Sequence, residues 1–154
     1  MQIRSALLTD LEAGAQLWHD RIALLQQTDP AFRLLPDAAA RWRAKAERWI
    51  ADDEVGFFVA TVDGELVGQV AVRVVAGQPG LYPERVGAVL EMAVDLHRAS
   101  PGLSDGLLAC AKDWLAKQGV RHLVIDVPAR YPVEEAFWRA RRARARFTRF
   151  WLET

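Results

Sequence analysis

Residues 86–127, VGAVLEMAVDLHRASPGLSDGLLACAKDWLAKQGVRHLVIDV, decide the fold, because two apolar runs flank a stretch with helical periodicity. Val86 to Val94 is apolar at nearly every position, as expected of a strand covered on both faces. Leu103, Leu107, Ala111, Trp114 and Leu115 then recur at helical spacing, the stripe of an amphipathic helix, and Gly119 supplies its stop. His122 to Val127 again reads as a buried strand. Strand, helix, strand in this compass is a βαβ unit with parallel strands and a right-handed crossover. Open sheets bind ligands beyond the carboxyl ends of such strands, which is where HRASPGLSDGLL, residues 97–108, falls. Within it, Ser100-Pro101 has the form of an N-cap followed by the first helical residue.

Upstream, Asp63-Gly64 joins two β-rich runs, 57–62 and 65–74, and both turn positions tolerate positive φ, so a tight hairpin is expected. Residues 2–7 read as a short strand. Thr9 and Glu12 have the capping-box spacing, starting a helix that runs to about Gln27 with Leu11, Ala15, Trp18, Ile22 and Leu25 as its buried stripe. Ala39, Trp42, Ala46, Trp49 and Ile50 mark a second amphipathic helix, with the tryptophans as core anchors. Downstream of the βαβ unit, a helix is expected from Pro132 and a closing strand over 147–152.

The chain has 154 residues, 51% of them hydrophobic, enough for one core rather than two. Twenty basic and twenty acidic side chains cancel, so no whole-molecule field draws it to nucleic acid or acidic lipid. No signal core precedes Gln2-Ile3-Arg4-Ser5, and no apolar run reaches the ~20 residues that span a bilayer, which makes the cytoplasm the expected location. One cysteine, Cys110, reads as a core thiol, and three scattered histidines show no metal-ligand spacing, so no metal is expected.

This order of elements resembles the GNAT superfamily of N-acetyltransferases, over residues 1–154 taken as a single domain. VDGELVGQVAV (62–72) looks like the family's second and third strands, and residues 90–127 look like its acetyl-CoA segment. EEAFWRARR (134–142) looks like its C-terminal helix. The resemblance implies an α/β (α+β) fold: a mixed central sheet with an N-terminal helix pair, a βαβ acetyl-CoA unit and a C-terminal helix and strand. It also implies acetyl-CoA as cosubstrate and a primary amine of a small molecule or peptide as acceptor. The family's phosphate motif (Gln or Arg, two residues, Gly, one residue, Gly or Ala) falls on Ala99 to Ser104. Here Ala99 replaces the basic or amide residue, Ser104 the last small one, and Pro101 has no N–H to offer.

The resemblance assigns roles by position. Backbone groups of Met92 and Val94 pair with the pantetheine arm. Those of Ser100, Gly102, Leu103 and Ser104 cradle the pyrophosphate at the helix start, and Arg98 supplies the charge absent at Ala99. Glu91, a charge in an apolar run, is the candidate base through water, its pKa raised by burial; the other reading is an edge-facing or salt-bridged glutamate. The family's tyrosine after the helix phenylalanine is Trp138 here, which cannot donate the proton, so Tyr131 is the candidate acid. The acceptor pocket is expected from the first two helices and the loop around Tyr82.

Two other readings stand beside this one. Ala99, Pro101 and Trp138 favour a catalytically degenerate CoA-binding or protein-interaction module. Arg139, Arg141, Arg142, Arg144, Arg146 and Arg149 beside Phe147, Phe150 and Trp151 form a pattern that single-stranded nucleic acid could use, or else a solvated face paired with carboxylates; zero net charge disfavours nucleic acid. The aromatic C-terminal strand is a candidate edge for a homodimer.

Overall fold

A computed structural model describes all of residues 1–154. Its sheet comprises β1 (Gln2–Ser5), β2 (Val55–Val62), β3 (Glu65–Ala76), β4 (Arg85–Val94) and β5 (Leu123–Val124), hydrogen-bonded in that order. The first three neighbouring pairs are antiparallel, and β4–β5 is parallel. Helices α1 (Leu11–Thr28) and α2 (Ala38–Ile50) pack on one face, α3 (Leu103–Lys117) packs on the other, and α4 (Pro132–Ala140) follows β5. The α/β fold with a mixed sheet, an N-terminal helix pair and a βαβ unit is therefore the fold observed.

The two faces follow from strand alternation. Val55, Phe57 and Val59 of β2 join Trp42, Trp49, Ala46 and Ala15 in one cluster, with indole and phenyl rings meeting edge-on at 5.6–6.4 Å. Val70 and Val72 of β3 join Leu103, Leu107, Ala111 and Leu115 in the other. Asp63 and Gly64 take φ 51° and 83°, the left-handed backbone that the hairpin turn requires.

Strand β4 is irregular at a decisive point. Ala71 lies opposite Glu91 but Val72 lies opposite Val89, so β4 carries one extra residue, a β-bulge at Leu90. Val89, Met92 and Val94 pack on the α3 side, while both Leu90 and Glu91 turn toward α1 and α2. Under unbroken alternation from Gly87, which faces Leu115 of α3, Glu91 would point at α3 instead. Pairing with β5 covers only Gly87–Leu123 and Ala88–Val124 and stops where the bulge bends β4. Asp95 N–H donates to Val67 C=O across β3, so by alternation Met92 and Val94 address the opposite edge, which has no strand beside it.

Several boundaries differ from the expectations. The strand expected over 122–127 shortens to Leu123–Val124, because β4 diverges from it. No strand forms over 147–152; residues 143–154 have no regular structure, and Phe147, Phe150, Trp151 and Leu152 are exposed. The first strand ends at Ser5, and the Thr9–Glu12 capping box is not made. Instead Asp10 accepts the Leu7 N–H at 2.7 Å and a bidentate pair from Arg4 at 2.6 and 2.9 Å, which holds its carboxyl below the usual range. Helix α3 is not capped by Ser100. Leu103 N–H donates to Ser100 C=O at 3.1 Å around Pro101-Gly102, and Gly102, with φ 85° and ψ −4°, is the N-cap. These are the features of a type II turn with proline and glycine in their preferred places.

Gly102 thus sets the direction in which α3 leaves β4. A Cβ there would meet no atom within 4 Å, so Gly102→Ala tests backbone conformation alone. We expect it to lower stability by about 1 kcal/mol in urea denaturation with an unchanged m value. An unaltered midpoint would mean that the turn is free to change type.

Candidate active site

Glu91 is a carboxylate inside an apolar layer, 7% exposed. Trp42 Nε1 donates to its Oε2 at 2.7 Å, and Gln69 Nε2 donates to its Oε1. The same Gln69 amide donates to Gly14 C=O at 3.1 Å, leaving Gln69 Oε1 buried with no partner. Gly14 makes the close approach possible: a Cβ there would sit 2.7 Å from Gln69 Oε1 and 2.9 Å from Trp42 Cη2. One residue each from α1, α2, β3 and β4 therefore converges on this point.

Burial raises the Glu91 carboxyl to about 7, against the opposing pull of its hydrogen bonds from Trp42 and Gln69 and of the positive charges on Lys45 and Arg21. Desolvation wins because the donors stabilise the anion less than bulk water would. Arg21 is held by Glu134 of α4 through bonds of 2.8 and 3.0 Å, which ties α4 to α1 near the carboxylate. Trp42 is also the inner wall of an open cleft of about 340 Å³ between α1, the α1–α2 connection and α2. The loop around Tyr82 contributes nothing to it; Tyr82 is exposed, edge-on to His122 at the other end of β4.

The remaining residues singled out in the sequence fall into two groups. Met92 and Val94 lie on the free edge of β4, a short distance along the strand from Glu91. Ser100, Gly102, Leu103 and Ser104 form the turn and first residues of α3 at the carboxyl end of that strand. In this turn Leu103 N–H is engaged by Ser100, whereas Ser104 and Asp105 N–H have no protein acceptor. Asp105 adds a carboxylate there, and Arg141 covers it at 2.6 Å. Arg98 is drawn to Glu65 at the hairpin.

Tyr131 is half-buried at the start of α4, and its hydroxyl makes no hydrogen bond to Glu91, whose oxygens go to Trp42 and Gln69. Trp138 is buried against Phe137, and Arg141 lies 3.5 Å above the Phe137 ring. Of the C-terminal arginines, Arg139, Arg141 and Arg149 pair with Glu135, Asp105 and Asp126. Trp42 reads in the sequence only as a core anchor, and Gln69 lies in the strand segment 62–72 with no role assigned to it. The available signal was a lone amide within the apolar run Leu66 to Val72, the same anomaly that marks Glu91.

A free strand edge, a helix start with open N–H groups and a buried carboxylate near neutral pKa can hold an extended ligand with an anionic end and take a proton beside it. Comparisons with known proteins agree in fold. The tetramutant of the BH1408 protein from Bacillus halodurans superposes with a TM-score of 0.85 at 14% identity, covering 100% of both chains. An aminoglycoside 6'-N-acetyltransferase from Acinetobacter haemolyticus gives 0.80 at 14% identity, covering 100% of this chain and 98% of that one. Aminoglycoside N-acetyltransferase AAC(6')-Iy in complex with CoA gives 0.76 at 17% identity, covering 99% of each. In sequence, mycothiol acetyltransferase of Amycolatopsis mediterranei is 36% identical over 76 residues, which span 49% of this chain and 25% of that protein. A family model described as acetyltransferase (GNAT) family matches residues 19–141. On that match, which takes in the second half of α1, all of α2, the whole βαβ unit and α4, the chain belongs to the GNAT acetyltransferase family.

Proposed function

We propose that residues 1–154 act as one acyltransferase domain that moves an acetyl group from acetyl-CoA to a primary amine. The observation that carries this reading is the Glu91 carboxyl, buried and raised to about 7, next to the unpaired edge of β4. Met92 and Val94 would hold the pantetheine arm through their backbone, as an added strand would be held. The open N–H groups at Ser104 and Asp105, the Ser100 and Ser104 hydroxyls and the Gly102 turn would hold the pyrophosphate, with Arg141 offsetting the Asp105 charge. Acetyl-CoA supplies a thioester carbonyl, an acyl group already activated toward amines.

The chain's own residues handle position and protons. An amine reaching the sheet through the cleft meets Trp42, behind which lies Glu91. The ionised carboxylate takes the amine proton through a water, for which the unpartnered Gln69 Oε1 is a second acceptor. An N–C bond forms as the C–S bond breaks, and the leaving sulfur takes a proton, for which Tyr131 is the candidate donor. Trp42 and Gln69 hold the carboxylate rather than react. A second reading, a CoA-binding module without turnover, draws on Ala99, Pro101, the indole at Trp138 and the capture of Arg98 by Glu65. Stabilisation by acetyl-CoA without thiol release from any amine would select it.

Because the base must be ionised, kcat/KM is expected to rise with pH through about 7. Glu91→Gln should lower kcat roughly 10²–10⁴-fold and flatten that limb while thermal stabilisation by acetyl-CoA persists. An unchanged rate would remove Glu91 as base.

Stability supplies a check that needs no substrate. A carboxyl raised from 4.5 to about 7 on folding contributes fully below the unfolded value, and that contribution is lost as pH rises through about 7. Over that window wild type should lose roughly 3 kcal/mol relative to Glu91→Gln in urea denaturation. Parallel stability curves for the two proteins would show that Glu91 is not desolvated.

A further inference from the structure

The cleft in front of Trp42 has a charge that the proposed reaction does not itself require. Its apolar walls include Trp18, Ile22 and Phe32, and every ionisable side chain lining it is a cation: Arg33, Arg41 and Lys45. No carboxylate lines it. Arg41 and Lys45 stand one helical turn apart on α2, flanking Trp42 in sequence, while Arg33 comes from the α1–α2 connection, so the charges arise from two separate segments. Arg41 is partly offset by Asp37 at 2.9 Å, and Lys45 lies 4.9 Å over the Trp49 ring. Arg33 makes no ion pair. The protein as a whole has zero net charge, so this sorting is local.

A polycationic acceptor entering here would meet like charges beside low-dielectric walls, which disfavours it. A carboxylate on the acceptor would be paired, most strongly by the planar guanidinium groups. The positive field also helps the reacting amine give up its proton, since it disfavours the ammonium form. Resting on the acyltransferase reading above, we infer that the acceptor is a primary amine bearing both a carboxylate and an apolar side chain, the chemistry of an apolar amino acid or of the two free ends of a short apolar peptide. This sets the chain apart from the aminoglycoside acetyltransferases that share its fold.

The test uses the full chain and matched amines: phenylalanine and the Phe-Phe dipeptide, each against its C-terminal amide, with kanamycin as the polycation. Thiol release from acetyl-CoA gives kcat/KM. Tryptophan fluorescence, which Trp18 and Trp42 in the cleft wall should report, gives Kd without turnover. At least about tenfold selection for the free carboxylate over the amide is expected in Kd, and in kcat/KM wherever turnover is seen. Arg33→Ala should raise KM for the carboxylate form and narrow the selection, leaving the amide form little changed. Whichever of the two carboxylates is selected more strongly separates amino acid from peptide.

Equal or tighter binding of the amides, or of kanamycin, would overturn the inference and leave acetyl transfer standing. Carboxylate-selective binding without thiol release from any amine would support the inference about the cleft and defeat the catalytic reading instead.

Discussion

A carboxylate in the apolar layer between the sheet and α1–α2 constrains everything around it. Burying an ionised carboxylate costs several kcal/mol even after relaxation, and breaking up its partners leaves that cost exposed. The fold meets it with two donors, the Trp42 indole and the Gln69 amide, delivered from opposite layers. Gly14 leaves the room in which both side chains fit. Even so, desolvation prevails and the carboxyl sits near neutrality rather than among ordinary glutamates. A group chosen only for stability would be apolar here, since well-packed apolar residues commonly match or improve on buried ions. The stability given up leaves a carboxyl that titrates near neutrality inside the core.

The bulge at Leu90 links this carboxylate to the unpaired edge of β4. One extra residue turns Glu91 from the α3 face to the α1–α2 face, and the same bend ends the β4–β5 ladder after Ala88. A regular strand of this sequence would lose both features, pairing further with β5 and sending the glutamate among Leu103, Leu107 and Leu115. The irregularity thus couples two features that sheet geometry otherwise sets against each other: a buried carboxylate under the sheet and an open backbone edge in line with it.

The fold was legible where local chemistry and tertiary packing agree. Asp63-Gly64, the tryptophan spacing of α2 and the strand-helix-strand of 86–127 each have one reading, and the structure keeps all three. Legibility failed at ends and at long range. Ser100-Pro101 has the form of a cap, but Gly102, able to take φ 85°, lets the chain form a type II turn first and start the helix later. The aromatic run at 147–152 has strand propensity but finds no partner edge, and propensity without pairing makes no strand. Glu91 stood out as a charge in an apolar run; its partners did not. Trp42 lies 49 positions away and Gln69 lies 22 away, and no periodicity reports a contact between separate elements.

Charge balance shows the same separation between local and global information. Twenty positive and twenty negative side chains sum to nothing, yet they are not evenly mixed. The arginines after α4 look like a nucleic-acid patch in sequence, but Arg139, Arg141 and Arg149 are matched by carboxylates from α4, α3 and the segment after β5, while the unmatched Arg142, Arg144 and Arg146 are exposed to solvent. Arg21, facing Glu91, is matched by Glu134. Around the cleft the matching is incomplete, and Arg33 and Lys45 have no carboxylate partner. Unmatched charge beside apolar walls is retained at a cost in self-repulsion. It is least costly when a ligand of opposite sign completes it, and the apolar walls beside Arg33 and Lys45 are what distinguish these cations from the solvated Arg142, Arg144 and Arg146.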